Sequence, residues 1–266
     1  VPMLIEQIRT RVLPKRGIVA APDEILITLG SQNALYLLTR LLLSSTTRIG
    51  VENPCFREAI NTFLLADAEV VPHPVDEEGI VLNERPCDYY YVTPGHQVPT
   101  GVTMSSARRR QLLEHAARHD AVIIEDDYDS ESNFTLNPLP ALKASDRSGR
   151  VIYVSSLSKA LSPGLRLGFM VADPDLIDEA RAVSAVCRGT ALQAIGYKEL
   201  IPYLDAGAPL EECINRLKQS TRRYAKRQLS WFRRDARIVW LMVDKSESLR
   251  ELTEKAVCVV HKSGIL

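Results

Sequence analysis

Five times along this chain, a short run of β-branched and apolar residues gives way to a cluster of polar ones. Ile25 to Leu29 ends in Gly30-Ser31-Gln32-Asn33, and Thr47 to Val51 ends in Glu52-Asn53-Pro54-Cys55-Phe56. Tyr89 to Thr93 leads into 94–101 (PGHQVPTG), Ala121 to Ile124 into Glu125-Asp126-Asp127-Tyr128-Asp129, and Val151 to Val154 into 155–159 (SSLSK). Stretches with apolar residues at helical spacing follow at 31–43, 57–66 and 106–119, the last capped by Ser105 or Ser106. This alternation predicts an α/β fold, a mainly parallel sheet with helices on both faces. Ligands of such sheets sit beyond the carboxyl ends of the strands. The five polar clusters are therefore expected to converge on one crevice.

The last cluster says most about chemistry. A lysine among small hydroxyl residues at a strand end can form an imine with an aldehyde once its pKa is lowered. Ser156, Ser158 and Arg166 around Lys159 can hold a phosphate through hydroxyl donors and a charged fork. Aldehyde plus phosphate describes pyridoxal 5'-phosphate (PLP). A polar turn with a solvated lysine explains the same residues. Gly30-Ser31 between a strand and a helix offers backbone N–H groups and a positive dipole end to an anion, or simply a capped turn. Asp126 is placed to keep a pyridine nitrogen protonated, and Tyr128 to reach the phenolate oxygen. Glu125, Asp127 and Asp129 leave open a lesser reading as a magnesium or calcium site, or as plain turn formers. Phe56 is read either as a ring-stacking residue or as core, and His96 as a loop histidine.

Composition narrows the function classes. The 266 residues carry 33 Lys plus Arg against 33 Asp plus Glu, so no global field favours nucleic acid or an anionic membrane. The basic stretch 216–234 reads as a solvated helix face. Cys55, Cys87, Cys187, Cys213 and Cys258 are scattered without CxxC spacing, which points away from disulfides and zinc and towards a reducing cytoplasm. No apolar run approaches membrane-spanning length. Residues 3–14 read as a helix ending at Pro14. The expected organisation is an N-terminal helix and loop (1–20), a ligand-binding large domain (21–172), and connecting helices with an incomplete α+β small domain (173–266). The connecting helices are expected at Pro174–Cys187, Leu192–Asp205 and from Pro209. Strands at 238–243 and 257–261 flank a helix at 246–256.

Five motifs taken together, GSQNAL, ENPCFREA, VTPGHQVPTGVTMS, IIEDDYDSE and SSLSKALSPGLRLGF, resemble the class I/II aminotransferases of PLP fold type I. They are most similar to the aminotransferase-like domain of MocR-type regulators of the GntR superfamily, over about residues 3–235. The resemblance implies a seven-stranded-type sheet, PLP as cofactor and Lys159 as the internal aldimine lysine. It implies Asp126 on the pyridine nitrogen, Tyr128 near the phenolate oxygen and Phe56 on the ring face. Ser31, Gln32, Ser156, Ser158 and Arg166 would form the phosphate cup. The family's phenolate-binding Asn corresponds to Val98 here, with Gln97 or His96 as a partial replacement. The family's regulators carry a DNA-binding domain that is absent here, and no arginine after Val257 matches the one that clamps the substrate carboxylate. The chain is thus expected to be a fragment, truncated at both ends.

Two functions fit the resemblance. One is an enzyme that exchanges the Lys159 aldimine with an amino acid and releases a keto acid. The other is a PLP- and amino-acid-sensing effector domain that reaches DNA only through a separate domain. A degenerate relative that merely folds is the third reading. A cytoplasmic homodimer is expected, because sites of this fold type resemble composite sites completed by a partner chain.

Overall fold

The structure is a computed structural model and describes residues 2–83, 85–129, 139–157, 167–186, 208–234, 253–255 and 257–258. Lys159, Ser158 and Arg166 lie outside the described residues, as do the expected helix at Leu192–Asp205 and the strand at 238–243. The chain divides into two compact units, 1–214 and 215–266.

The first unit is built on one eight-stranded sheet. Its strands are β1 (Ile25–Thr28), β2 (Arg48–Asn53), β3 (Glu69–Asp76), β4 (Gly79–Ile80), β5 (Tyr89–Val92), β6 (Val122–Asp127), β7 (Val151–Ser156) and β8 (Gly168–Val171). The order across the sheet is β1-β8-β7-β6-β5-β2-β3-β4. β7, β6, β5, β2 and β3 pair in parallel; β8 runs antiparallel to both β1 and β7, and β4 antiparallel to β3. β1 therefore points the same way as β7. The carboxyl ends of β1, β7, β6, β5 and β2 all reach the same edge, as the sequence pattern requires.

Strand alternation sorts side chains onto two faces. Leu26, Tyr91, Ile124, Ile152, Val154 and Met170 pack against α2 (Ser31–Leu42), α3 (Arg57–Leu64) and α6 (Pro174–Val186). Their neighbours Tyr90, Ile123 and Val151 face α4 (Ser106–Arg118) and α5 (Leu142–Ser145). Ile25, Ile27, Tyr153, Phe169 and Val171 meet Ile8, Leu13 and Ile18 of the N-terminal segment. Leu35, Leu37 and Leu38 are fully buried, each burial contributing about 1.5–3 kcal/mol.

Several boundaries differ from the sequence expectation. The N-terminal helix does not stop at Pro14. After α1 (Pro2–Gln7) the backbone loosens to a π turn and then tightens to a 3-10 turn through Arg16, ended by left-handed Gly17. Pro14 fits because it sits in the first positions of that turn, where its missing N–H costs nothing. β6 extends to Asp127, so three of the carboxylates expected after the strand, Glu125, Asp126 and Asp127, belong to it. β3 continues through Pro72 and Pro74, with β4 pairing only at Val75 and Asp76. Ser105 is the cap of α4, its Oγ accepting from the Arg108 N–H at 3.1 Å. Val257 and Cys258, expected to begin a strand, are helical.

The long helix α7 (Leu210–Phe232) follows the basic stretch. Residues 222–230, with Arg222, Arg223, Lys226 and Arg227, are all exposed.

Candidate functional site

The site is a crevice at the carboxyl edge of the sheet, and its start is the turn between β1 and α2. Gly30 adopts φ 80°, ψ 172° and no side chain caps α2. The turn is pinned locally: Thr28 Oγ1 donates to the Gly30 carbonyl at 3.0 Å, and the Leu29 N–H to Asn33 Oδ1 at 3.2 Å. It is also pinned by close backbone approach. A Cβ on Gly168 would lie 2.6 Å from Gly30 C and 2.9 Å from the Ser155 carbonyl oxygen. Only glycine lets β8 bring the start of α2 against the end of β7. Ser31 is half-buried on the first turn, and Gln32 Nε2 is buried with no hydrogen-bond partner among the described residues. Ser156 ends β7 opposite Gly168. An anion brought to this turn meets a helix N-terminus and an unused amide donor.

The acidic run resolves by parity. Asp126, 3% exposed, shares the α2 and α3 face with Tyr91, whose hydroxyl donates to Asp126 Oδ2 at 2.8 Å. Burial, and then Asp126, hold the Tyr91 pKa well above its ordinary value, so Tyr91 remains a donor. Glu125 and Asp127 point to the opposite face. Glu125 accepts the Leu142 and Lys143 N–H groups at 2.7 and 2.9 Å, at the start of α5. Burial, aided by Asp127, pushes its pKa up to about 7. Asp127 Oδ2 accepts from Arg16 Nε and the Tyr153 hydroxyl, both at 2.7 Å. With their oxygens taken by N–H and O–H donors on two faces, these carboxylates do not gather as ligands of one ion. Among the described residues no group of three or more such side chains does.

Tyr128 is partly buried next to this strand end. Its phenol is pushed up to about 12 by burial, then by Asp129, Asp126, Glu52 and Asp127, and so stays a hydroxyl donor. The His96 ring stacks on it, 6.2 Å between centroids, and its Nδ1 lies 3.2 Å from Asp129 Oδ2. Phe56 precedes α3 and packs at the edge of the core below the crevice.

Gln97 is placed differently from its expected use. Its Nε2 donates to the carbonyls of Pro54 and Val98 at 2.7 and 2.8 Å, and its Oε1 accepts the Thr100 N–H and hydroxyl at 2.9 and 2.6 Å. The amide braces the 94–101 turn against the end of β2. Glu52 supports the same turn, its Oε2 accepting the Thr93 N–H at 3.1 Å and hydroxyl at 2.7 Å, while Oε1 is buried without a partner among the described residues. Burial raises the Glu52 pKa. Arg109 completes the scaffold by donating to the carbonyls of Met104, Pro140 and Pro94.

The structure thus gathers Ser31, Gln32, Phe56, Asp126, Tyr128 and Ser156 along one edge. Sequence reasoning missed Tyr91, Glu52, Arg16 and the Gly30–Gly168 contact. Period-two alternation through the three tyrosines was the available signal for Tyr91; no local signal marks Arg16.

The fold is that of PLP-dependent aminotransferases. A kynurenine aminotransferase from Pyrococcus horikoshii, solved in complex with PMP, matches with a TM-score of 0.64 and 32% identity, over 81% of this chain and 55% of that one. An aromatic-amino-acid aminotransferase from Thermococcus litoralis is 35% identical over 202 residues, 70% of this chain and 48% of that protein. The probable rhizopine catabolism regulatory protein MocR of Rhizobium meliloti is 42% identical over 171 residues, 63% of this chain and 35% of the regulator. The chain belongs with the fold-type-I aminotransferases and the MocR-type regulators that share their domain. It spans between about a third and a half of the length of these curated relatives. A family model described as IPP transferase also matches residues 165–235, a segment containing none of the five strand ends that line the crevice.

Proposed function

We propose that the chain binds pyridoxal 5'-phosphate in this crevice and handles amino acids as an aminotransferase does. The observation that carries the reading is the buried Tyr91–Asp126 hydrogen bond on the face that also holds the start of α2. A carboxylate kept there by a hydroxyl donor suits a protonated pyridine nitrogen. The α2 N-terminus and the Gln32 amide suit a phosphate, joined by Ser31, Ser156, Ser158 and Arg166. Tyr128 offers its hydroxyl to the phenolate oxygen and Phe56 covers the ring. When bound, the cofactor supplies an aldehyde that captures amines and a ring that draws electrons from the substrate α-carbon. Lys159 Nζ is the attachment point and the group that takes the α-proton and returns it.

The MocR-type regulators among the relatives favour a second reading, in which the same exchange reports amino acid to a DNA-binding domain elsewhere. We further propose a homodimer, for which exposed Met3, Val19 and Leu65 provide apolar surface, and a cytoplasmic setting. Cys55, Cys87, Cys213 and Cys258 are free thiols, and among the described residues no helix is long and apolar enough to cross a membrane.

An absorbance spectrum with PLP, for wild type and Lys159→Ala, tests the reading. A visible band in wild type that Lys159→Ala lacks is expected. Adding an amino-acid panel should then discharge the band with release of keto acid for the enzyme, or shift it lastingly for the sensor. A wild-type spectrum identical to that of free PLP overturns the proposal.

A further inference from the structure

We infer that Arg16 is a positioning residue for the crevice, tying the N-terminal segment to the strand end that carries Asp126 and Tyr128. Its relevance to the cofactor rests on the reading of Asp126 given above. Arg16 Nε donates to Asp127 Oδ2 at 2.7 Å, with the two side chains only 7% and 4% exposed. Arg16 Nη1 donates to the Leu139 carbonyl at 3.2 Å, and the Arg16 carbonyl accepts the Ala141 N–H at 2.9 Å. The 94–101 turn closes over the pair. A Cβ on Gly95 would lie 3.2 Å from Asp127 Oδ1 and 3.8 Å from Arg16 Nη2. One guanidinium therefore meets the end of β6, the turn that carries Gln97, and the chain entering α5.

Charge balance makes this contact more than packing. A buried carboxylate without a cation or good donors is strongly disfavoured. Arg109, the other buried arginine on this side, gives its N–H groups to three carbonyls. Arg16 is thus the described cation bonded to Asp127, with the Tyr153 hydroxyl as the neutral second donor. Burial works against the Arg16 charge, but Asp127 and Tyr153 outweigh it and hold its pKa above the ordinary value. Asp127 and Asp126 are consecutive on β6 with opposite orientations, so fixing one side chain fixes the backbone that aims the other. Arg16 is itself anchored, because Ile8, Leu13 and Ile18 around it are buried against Tyr153 and Phe169. Coupling of this kind is reciprocal. If Arg16 holds the crevice in shape, a ligand in the crevice steadies the N-terminal segment.

Backbone amide exchange and PLP titration of the whole chain test this, for wild type, Arg16→Met, Arg16→Lys and Tyr153→Phe. Without ligand, Arg16→Met should speed exchange about tenfold at 95–97 and 126–129 while the Leu35–Leu38 amides stay as in wild type. PLP should bind about tenfold more weakly, and the slowing of exchange at 8–20 that PLP brings in wild type should vanish. Arg16→Lys, which keeps a charge but not the fork, should fall between. Tyr153→Phe, which leaves the cation, should keep most of the affinity. Exchange at 95–97 and 126–129 unchanged in Arg16→Met refutes the inference. If Arg16→Met does not fold, Arg16→Lys with wild-type exchange refutes it equally. Wild type that never binds PLP would sink the function proposal, while the ligand-free exchange still decides the role of Arg16.

Discussion

Substituting Gly168 with alanine tests the placement of α2 at a single atom. The added Cβ would sit 2.6 and 2.7 Å from Gly30 C and Cα and 2.9 Å from the Ser155 carbonyl oxygen. Carbon pairs rest at about 3.5–4.0 Å, so β8 and the Gly30 turn must part by roughly 1 Å. All three obstacles are backbone, so no side chain can swing away. Overpacking of this kind costs about 1–3 kcal/mol. It is offset in part by the roughly 0.5–1 kcal/mol by which alanine outperforms glycine inside a strand. For a unit of this size each kcal/mol moves Tm by about 2–4 °C, so a fall of up to about 10 °C is expected. The same displacement lifts the α2 N-terminus from the crevice, and PLP affinity should drop about tenfold, equivalent to ~1.4 kcal/mol. Thermal melts followed by circular dichroism, with a PLP titration by absorbance, read both effects. Gly168→Ala with wild-type Tm and wild-type affinity would refute the argument that this contact sets the helix start.

Two further outcomes follow from the buried acids. The folded-state pKa of Glu125 is raised to about 7, so its contribution to stability is full below its unfolded pKa and is lost as pH rises through about 7. At roughly 1.4 kcal/mol per unit the loss totals about 3–4 kcal/mol. Urea melts at several pH values should show it in wild type and not in Glu125→Gln. The difference between the two curves isolates Glu125 from His73 and His115, whose pKa values burial lowers. Tyr91→Phe removes the hydroxyl that donates to Asp126 and should cost about 1.5–3 kcal/mol, the range for hydrogen bonds to charged groups. A loss under about 0.5 kcal/mol in urea unfolding would contradict a stabilising role for this hydrogen bond.

Much of this architecture is legible in the sequence because strand and helix periods are local properties. The runs at 25–29, 89–93 and 151–154 are too rich in β-branched and aromatic residues for other assignments, and their shared polar endings locate the crevice edge. What escaped the reading depends on partners far apart in the chain. Arg16 lies 111 positions from Asp127, and Gly168 meets Gly30 only because β8 pairs beside β1. No spacing rule encodes either contact. Gln97 was readable as an amide donor near the crevice, but its two carbonyl partners arise only once the 94–101 turn folds back on β2. The continuation past Pro14 escaped because proline is compatible with the first turn of a new helical segment as well as with an end.

Glu125, Asp126 and Asp127 show how the fold turns one acidic run into three unlike groups. As a string of letters the run suits a metal site as well as a pyridine contact. Extending β6 through Asp127 separates them by geometry, because consecutive side chains of a strand cannot share a face. Glu125 goes to the start of α5, where helix N–H groups receive it; Asp127 goes to Arg16 and Tyr153; Asp126 alone emerges beside Tyr91. The two outer residues then act as fasteners for the middle one, each bonding to a different segment behind the sheet. Two rigid neighbours hold the backbone that aims Asp126, and the Tyr91 hydroxyl holds one of its oxygens. On this logic, loosening either fastener should weaken ligand binding at Asp126 without touching it. Conservative changes at Asp126 itself, such as Asp126→Asn, should leave the exchange rates at Glu125 and Asp127 unaltered.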